Sequence, residues 1–216
     1  GGTIKSLYSN ALLIDEAGNE KCVQFDEPAV HREPVLETIM RRKSVFGLVD
    51  GSSHAWSRDL FETFGPLQTP LSVEDSAIAF RAALLGRIAY SPDVLIKHRR
   101  HSNNTWQYTT RDPLGDSRYQ TFQEEAVLRN WMHDIRIFEE RTPGKKEEMA
   151  TYYQILARKL VESRENITLF ESTWVKRGSR ILNKIVHGMP LKIARHKIGV
   201  FLMPALYQRY CLLKYG

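Results

Sequence analysis

The stretch VEDSAIAFRAALLG, residues 73–86, decides the fold expected for the chain. Its apolar residues recur at helical spacing, and Gly86 stands where helices commonly end. Two adjacent carboxylates, Glu74 and Asp75, head this apolar run. Acids in the first turn of a helix favour the helix dipole by about 0.3–1 kcal/mol, so the pair can be ordinary capping. The alternative is that one of the two carboxylates is a catalytic base.

Shorter patterns on both sides of this helix predict alternating strands and helices. At the start of the chain we expect a strand, a turn at Glu16–Gly18 and a return strand near Lys21–Phe25. A helix over 34–44 and a strand over 45–56 that ends in a tight loop follow. The last element before VEDSAIAFRAALLG is a helix capped by Ser57 and stopped by Gly65–Pro66. After it we expect a short strand, a turn at Ser91–Asp93, and a second strand that runs into a polar, basic loop. This alternation at short intervals predicts an α/β sandwich.

The second half of the chain is predicted to be helical. Apolar residues at three- and four-residue steps indicate two antiparallel helices that pack on each other and on the α/β part. A third, basic helical region closes the chain. We therefore expect two domains, an α/β part over 1–112 and a helical extension over 113–216.

Composition excludes several classes of protein. Of the 216 residues, 42% are apolar and 26% charged, as in globular proteins and unlike disordered or collagen-like chains. The two cysteines, Cys22 and Cys211, have no ligand spacing, which favours a reducing compartment without a disulfide frame or zinc site. The chain contains no run of 18 uncharged apolar residues, so no transmembrane helix is predicted. Because the chain opens without Met or a signal peptide, we expect it to be a piece of a longer protein.

Positive charge is concentrated at the C-terminal end. Residues 172–216 contain nine Lys or Arg and no acid, whereas the remainder holds 22 basic and 25 acidic residues. Mixed with apolar residues, this pattern predicts an interfacial helix pair on anionic lipid. A basic helix packed against the acidic catalytic part and an oligomer interface, as in a homo-oligomer, are the alternatives. Nucleic acid is not expected as a partner, because the basic residues lack interleaved glycine–aromatic motifs.

Three segments in the middle of the chain carry a family resemblance. They are GSSHAWSRDLFETFG (51–65), VEDSAIAFRAALLGRIAYSPDVLI (73–96) and HRRHSNN (98–104). In this order they resemble glycosyltransferase family 2, the nucleotide-sugar transferases of the GT-A fold, over about residues 1–105. The resemblance implies the acceptor-side part of a GT-A-type sandwich followed by an α-helical region.

The resemblance also implies an activity and a set of site residues. The activity is inverting transfer of a sugar from a nucleotide-diphosphate sugar to a saccharide or lipid-linked acceptor, as in polysaccharide biosynthesis at the cell envelope. Asp75 matches the catalytic base. Glu74, the second residue of the catalytic pair, would shape the site or hydrogen-bond the acceptor, because adjacent side chains on a helix point about 100° apart. The other matches are His54 and Trp56 for the acceptor, Arg99 for the diphosphate and His101 for the metal, while Arg81 and Tyr90 are assigned to structure. The alternatives are that Trp56 packs in the core and that the loop with Arg99 and His101 is ordinary solvated surface.

One part of the family pattern is missing. No Asp-x-Asp, the family's metal-binding motif, occurs in the chain. We therefore expect the donor half, with its divalent metal (Mn²⁺ or Mg²⁺), to lie upstream, and the piece alone to be inactive and to bind sugar nucleotides weakly. The expected location is cytoplasmic, at the inner face of the membrane. The alternative function is a noncatalytic binding or assembly module with a membrane-surface basic tail.

Overall fold

The computed structural model describes residues 3–24, 35–68, 71–101 and 113–203. These residues form a mixed α and β fold with one four-stranded sheet and a mostly helical C-terminal region, as the sequence predicts. The strands are β1 (Ile4–Ile14), β2 (Glu20–Gln24), β3 (Ala55–Trp56) and β4 (Arg87–Arg99). The helices are α1 (Val35–Arg41), α2 (Asp59–Phe64), α3 (Glu74–Leu85), α4 (Pro113–Arg141), α5 (Lys146–Glu171), α6 (Trp174–Val186) and α7 (Leu191–Leu202).

Strand β1 lies at the centre of the sheet. Along one edge it pairs in parallel with β4 over its whole length. Along the other edge it pairs antiparallel with β3 at Ser6 and Leu7, and with β2 from Ala11 to Ile14. The sheet is therefore mixed, and helix α3 immediately precedes the strand that pairs in parallel with β1.

The predicted N-terminal hairpin is confirmed. The chain turns after β1 through Gly18, whose φ of 90° favours glycine. The Gly18 N–H donates to the Asp15 carbonyl at 3.1 Å, which closes the turn. Strand β2 is described to Gln24, and Phe25 lies outside the described residues.

The predicted turn at Ser91–Asp93 is wrong, because β4 runs through it as one strand. In the pairing of β4 with β1, Ser9 lies opposite Ser91 and the next residue, Asn10, opposite Val94. Pro92 therefore sits in a bulge, where its missing N–H is not needed by the ladder. The Asn10 side-chain amide donates to the Pro92 carbonyl at 2.7 Å and so satisfies the group that the bulge takes out of the sheet.

The strand predicted within 45–56 is wrong over residues 45–49, which are irregular in the structure, and only Ala55–Trp56 forms a strand. Val45, Leu48 and Val49 are buried without forming a ladder, and Val45 and Leu48 are fully inaccessible. The Arg42 guanidinium donates to the Gly47 carbonyl at 2.9 Å, a group that a sheet would otherwise pair. Apolar burial alone therefore did not distinguish a strand from a packed loop here.

Helix α3 is confirmed as predicted, with Gly86 directly after it, and Gly65 ends α2 as predicted, with a φ of 71°. The predicted Ser57 cap is wrong: α2 begins at Asp59, and its N-cap position is Arg58, which makes no side-chain capping bond. Helix boundaries commonly move by one or two residues in this way.

The two long helices are confirmed, and α4 packs on the α/β part as expected. Trp131 of α4 is fully buried and stacks on Phe80 of α3 with ring centroids 4.7 Å apart. Its indole N–H donates to the Ser76 carbonyl at 3.2 Å. Farther along α4, Asp134 forms a fully buried ion pair with Arg81, which bears out the structural assignment of Arg81.

The chain forms two compact units. The first contains residues 1–104 and 123–160, and the second contains residues 105–122 and 161–216. The second unit has its own apolar cluster, made of Leu169, Phe170, Ile181, Val200 and Phe201. A boundary between domains at residue 112 stays a prediction. Within the described part of the chain, none of the helices has the length and apolarity to cross a membrane.

Candidate active site

The site is built around a tight loop, residues 50–56, that precedes and includes β3. Asp50 caps a single 3-10 turn, Gly51–Ser53, by accepting a hydrogen bond from the Ser52 N–H at 2.9 Å. The Ser52 hydroxyl donates to the same carboxylate oxygen at 2.6 Å. Strand β3 then pins the far end of the loop to β1. The start of the loop is thus fixed by local hydrogen bonds, and its end is fixed by pairing with a strand far away in the sequence.

Asp75 lies against this loop from the start of α3. A Cβ added to Gly51 would lie 3.1 Å from the Asp75 Cβ and 3.2 Å from Asp75 Oδ2, so a side chain at residue 51 would crowd the side chain of Asp75. The Asp75 carboxylate accepts a hydrogen bond from the Ser76 N–H at 2.6 Å. It is therefore held by the backbone of its own helix and lies against Gly51 of the loop.

Burial raises the pKa of Asp75 above its ordinary value. The Ser76 and Gly51 N–H groups favour the ionised form and oppose this shift, while the charge of Glu74 adds to it. Glu74 itself is exposed at the first position of the helix. The adjacent acids thus differ in environment: Asp75 is a half-buried, more basic carboxylate, and Glu74 is a solvated one.

His54 and Trp56 form the other side of the same loop. His54 is only 7% exposed, and neither ring nitrogen has a hydrogen-bond partner among the described residues. Burial lowers the pKa of His54 to about 4, so the ring is neutral near pH 7. Trp56 packs edge-on against it with centroids 5.5 Å apart, yet remains 42% exposed. An unpartnered buried imidazole costs about 1–3 kcal/mol, a cost that a ligand could relieve.

Sequence reasoning missed a second polar group beside the loop. His98 of β4 places its Nδ1 atom 3.5 Å from the Ser52 hydroxyl and 3.7 Å from Asp50 Oδ2. Gln24 of β2 donates to the same Asp50 oxygen at 3.2 Å. Only the pairing of β1 with β2 and β4 brings these residues together, so no spacing along the chain could have revealed them.

The predicted phosphate and metal residues lie at the end of β4. Arg99 donates to the carbonyls of Asp15 and Glu16, at 3.2 Å and 2.6 Å, and thereby stabilises the β1–β2 turn. Because successive side chains of a strand alternate, His98 faces the loop while Arg99 does not. His101 is half-buried two residues after the strand. A diphosphate role for Arg99 and a metal role for His101 stay predictions.

Within residues 3–24, 35–68, 71–101 and 113–203, no three His, Cys, Asp or Glu side chains are grouped so that they could hold a metal ion. In comparisons with known proteins, no family model, no curated protein and no solved structure matches the chain.

Proposed function

We propose that the chain is the acceptor-side half of an inverting glycosyltransferase of family 2, with Asp75 as its general base. The observation that carries the proposal is the position of Asp75: a half-buried carboxylate of raised pKa, fixed against Gly51 of the loop that also bears His54 and the exposed Trp56. The order of the three resembling segments supports the same family. The proposal includes the fold: the α/β part would be the acceptor-side part of a GT-A-type sandwich.

The proposed chemistry assigns a task to each of these residues. Asp75 takes the proton of an acceptor hydroxyl as its oxygen bonds to the anomeric carbon and the bond to the nucleotide diphosphate breaks. The diphosphate departs with the electron pair. A positioned base of this kind contributes about 10²–10⁴-fold to the rate, and a raised pKa makes the carboxylate a stronger base. The Trp56 indole would stack on the apolar face of the acceptor sugar, and the neutral His54 ring would hydrogen-bond its hydroxyls.

The family resemblance assigns stabilisation of the departing diphosphate to Arg99 and to a metal ion bound with His101. The described side chains do not form a set that would hold a metal ion, and the Arg99 guanidinium donates to turn carbonyls. The donor site and the other ligands of its Mn²⁺ or Mg²⁺ ion would belong to the donor half expected upstream.

The test uses a longer protein that includes the expected donor half. Asp75→Asn should abolish sugar transfer and leave nucleotide binding intact, because it removes only the proton acceptor. Glu74→Gln is the comparison variant and should lose less activity than Asp75→Asn, because it leaves the proton acceptor in place. It should also move the acid limb of the pH–rate profile to lower pH, because the Glu74 charge raises the pKa of Asp75. Turnover above a few per cent in Asp75→Asn would contradict the proposal.

A stability measurement shows whether the Asn variant is folded. Since burial raises the pKa of Asp75, its ionised form lowers the stability of the folded state at neutral pH. This loss of stability is absent at pH values below the pKa of Asp75 in the unfolded chain. It develops as the pH rises from that value through the higher pKa of Asp75 in the folded chain. Asp75→Asn should therefore have a Tm at least equal to wild type at neutral pH, with the difference vanishing in acid.

A noncatalytic binding module is the second candidate, and one observation favours it equally: the exposed Trp56 beside the buried His54 would serve binding without transfer. A glycan array with the present chain tests binding, with Trp56→Ala expected to lose the signal. Trp174→Ala, on the exposed start of α6, is the control. Trp56-dependent binding combined with no turnover by the longer protein, with any nucleotide sugar offered, would favour the binding module.

A further inference from the structure

Helix α6 has an apolar stripe on its solvent side. The stripe consists of Val175, Leu182 and Val186, which are 72%, 62% and 73% exposed. Spacings of seven and four residues place them on one face of the helix, over a length of about 16 Å. A different face of α6 carries Ile181, which is buried in the apolar cluster of the second unit. The stripe is thus additional to the face that the unit uses for its own core.

Single exposed apolar side chains are normal, but an aligned set on one short helix is not. The helix begins with Trp174, which is 65% exposed and donates its indole N–H to the Leu202 carbonyl at 3.2 Å. The indole is thus held at one end of the stripe by α7. Tryptophan with one polar and one apolar side suits the boundary between water and lipid.

The surroundings of the stripe are positive. Described residues 172–203 contain seven Lys or Arg and no acid. Some of these cations are used inside the unit: Arg177 donates to the Leu169 carbonyl at 2.8 Å, and Lys184 pairs with Glu165. Others are exposed and form no ion pair with a described residue. These are Lys176, Lys192 and Arg195.

We propose that the stripe inserts into the interface of an anionic lipid bilayer, with the exposed cations against the headgroups. A basic amphipathic helix lies in the interface plane with its apolar face about 5–10 Å deep. Nucleic acid would engage the cations but leave the stripe in water. A second copy of the chain would bring the same positive charges together, because the α6 region has no acid to complement them. This inference goes beyond the proposed transferase activity and does not depend on it.

Co-sedimentation of the whole chain with lipid vesicles tests the proposal. Wild type should sediment with vesicles containing phosphatidylglycerol, sediment less at high salt, and bind weakly to pure phosphatidylcholine. Leu182→Glu should lower the partition coefficient about tenfold or more, because it places a charge where a leucine would be buried. Val161→Glu is the matched control: Val161 is 58% exposed on α5 in the same unit, and its variant should bind like wild type.

A second variant keeps the test decisive if Leu182→Glu fails to fold. Lys176→Glu changes no apolar residue and should weaken binding to anionic vesicles only. Failure of wild type to sediment with anionic vesicles, equal loss in Val161→Glu, or unchanged binding in Lys176→Glu would overturn the proposal. A concentration-dependent dimer in sedimentation velocity that Leu182→Glu abolishes would also overturn it, in favour of a contact between copies.

Discussion

At the scale of single residues, the two acids that open α3 have separate tasks. Asp75 is the second residue of the helix, so its carboxylate can accept the Ser76 N–H while it faces Gly51 of the loop. Helix start and proposed base are therefore the same side chain. Glu74, one position earlier, points into solvent and acts on Asp75 only through its charge.

His54 predicts acid sensitivity of the fold. Because its pKa is lowered from 6.5 to about 4 by burial, the unfolded chain takes up a proton more readily than the folded one below pH 6.5. Stability should fall as pH drops from 6.5 towards 4, by roughly 3 kcal/mol in all. Urea unfolding at several pH values measures this loss.

The matched variant for this prediction is His54→Phe, which keeps a ring beside Trp56 and cannot titrate. Its stability should change less than that of wild type between pH 6.5 and 4. Equal pH dependence in wild type and His54→Phe would contradict the assignment.

At the scale of elements, a close approach of backbones fixes the junction between α3 and β4. A Cβ added to Gly86 would lie 2.3 Å from the carbonyl oxygen of Thr3, the residue directly before β1, and no real Cβ sits so near a backbone atom. The backbone of Gly86 is extended, with a φ of 176°, so space and not the left-handed region excludes a side chain. The glycine that ends the helix also lets β4 begin beside β1.

We predict that Gly86→Ala lowers the free energy of unfolding by about 1–3 kcal/mol, because the added methyl must displace the β1 backbone. Gly144, in the short connection between α4 and α5, is the control. A Cβ there would meet no described heavy atom within 4 Å, and its φ is not positive. Gly144→Ala should therefore be nearly neutral in urea unfolding, and a similar loss in both variants would refute the steric explanation.

At the scale of the whole molecule, the first unit is held together by a charged contact as well as by apolar packing. Arg81 is fully buried and donates to both oxygens of Asp134, at 2.8 Å and 3.0 Å, and to the Gly65 carbonyl at 2.7 Å. The guanidinium also lies 5.5 Å from the ring centroids of Phe61 and Phe64. One side chain thus joins α2, α3 and α4.

We predict that Arg81→Met lowers the free energy of unfolding by about 3–5 kcal/mol, because it leaves the Asp134 carboxylate buried without its partner. The double variant Arg81→Met, Asp134→Leu should recover much of this loss, since it leaves no buried charge. Denaturant unfolding of the two single variants and the double variant measures the coupling. Strictly additive losses would show that the ion pair does not carry the effect.

Local patterns were sufficient where an element buries its own apolar face. The 3.6-residue repeat of α3, the steps of α4 and α5, and the turn before β2 all follow from neighbouring residues. Patterns failed where a distant partner decides the structure. Segment 45–49 is apolar enough for a strand, but Arg42 supplies a partner for its carbonyls. Strand β4 continues through Pro92 because β1 pairs with it on both sides of the bulge.

The sequence by itself determined that α3 begins with two acids, that Gly51 lies in the loop before β3 and that Gly86 follows α3. It also determined that the C-terminal region is basic and amphipathic. These are all properties of adjacent residues. Only the tertiary structure decided which acid is half-buried against Gly51 and that His98 and Asp50 meet beside Ser52. It also decided which apolar face of α6 stays in solvent. The physical reason is that burial and hydrogen-bond partners depend on elements far apart in the chain. Burial sets the pKa of Asp75, and strand pairing sets the partners of His98.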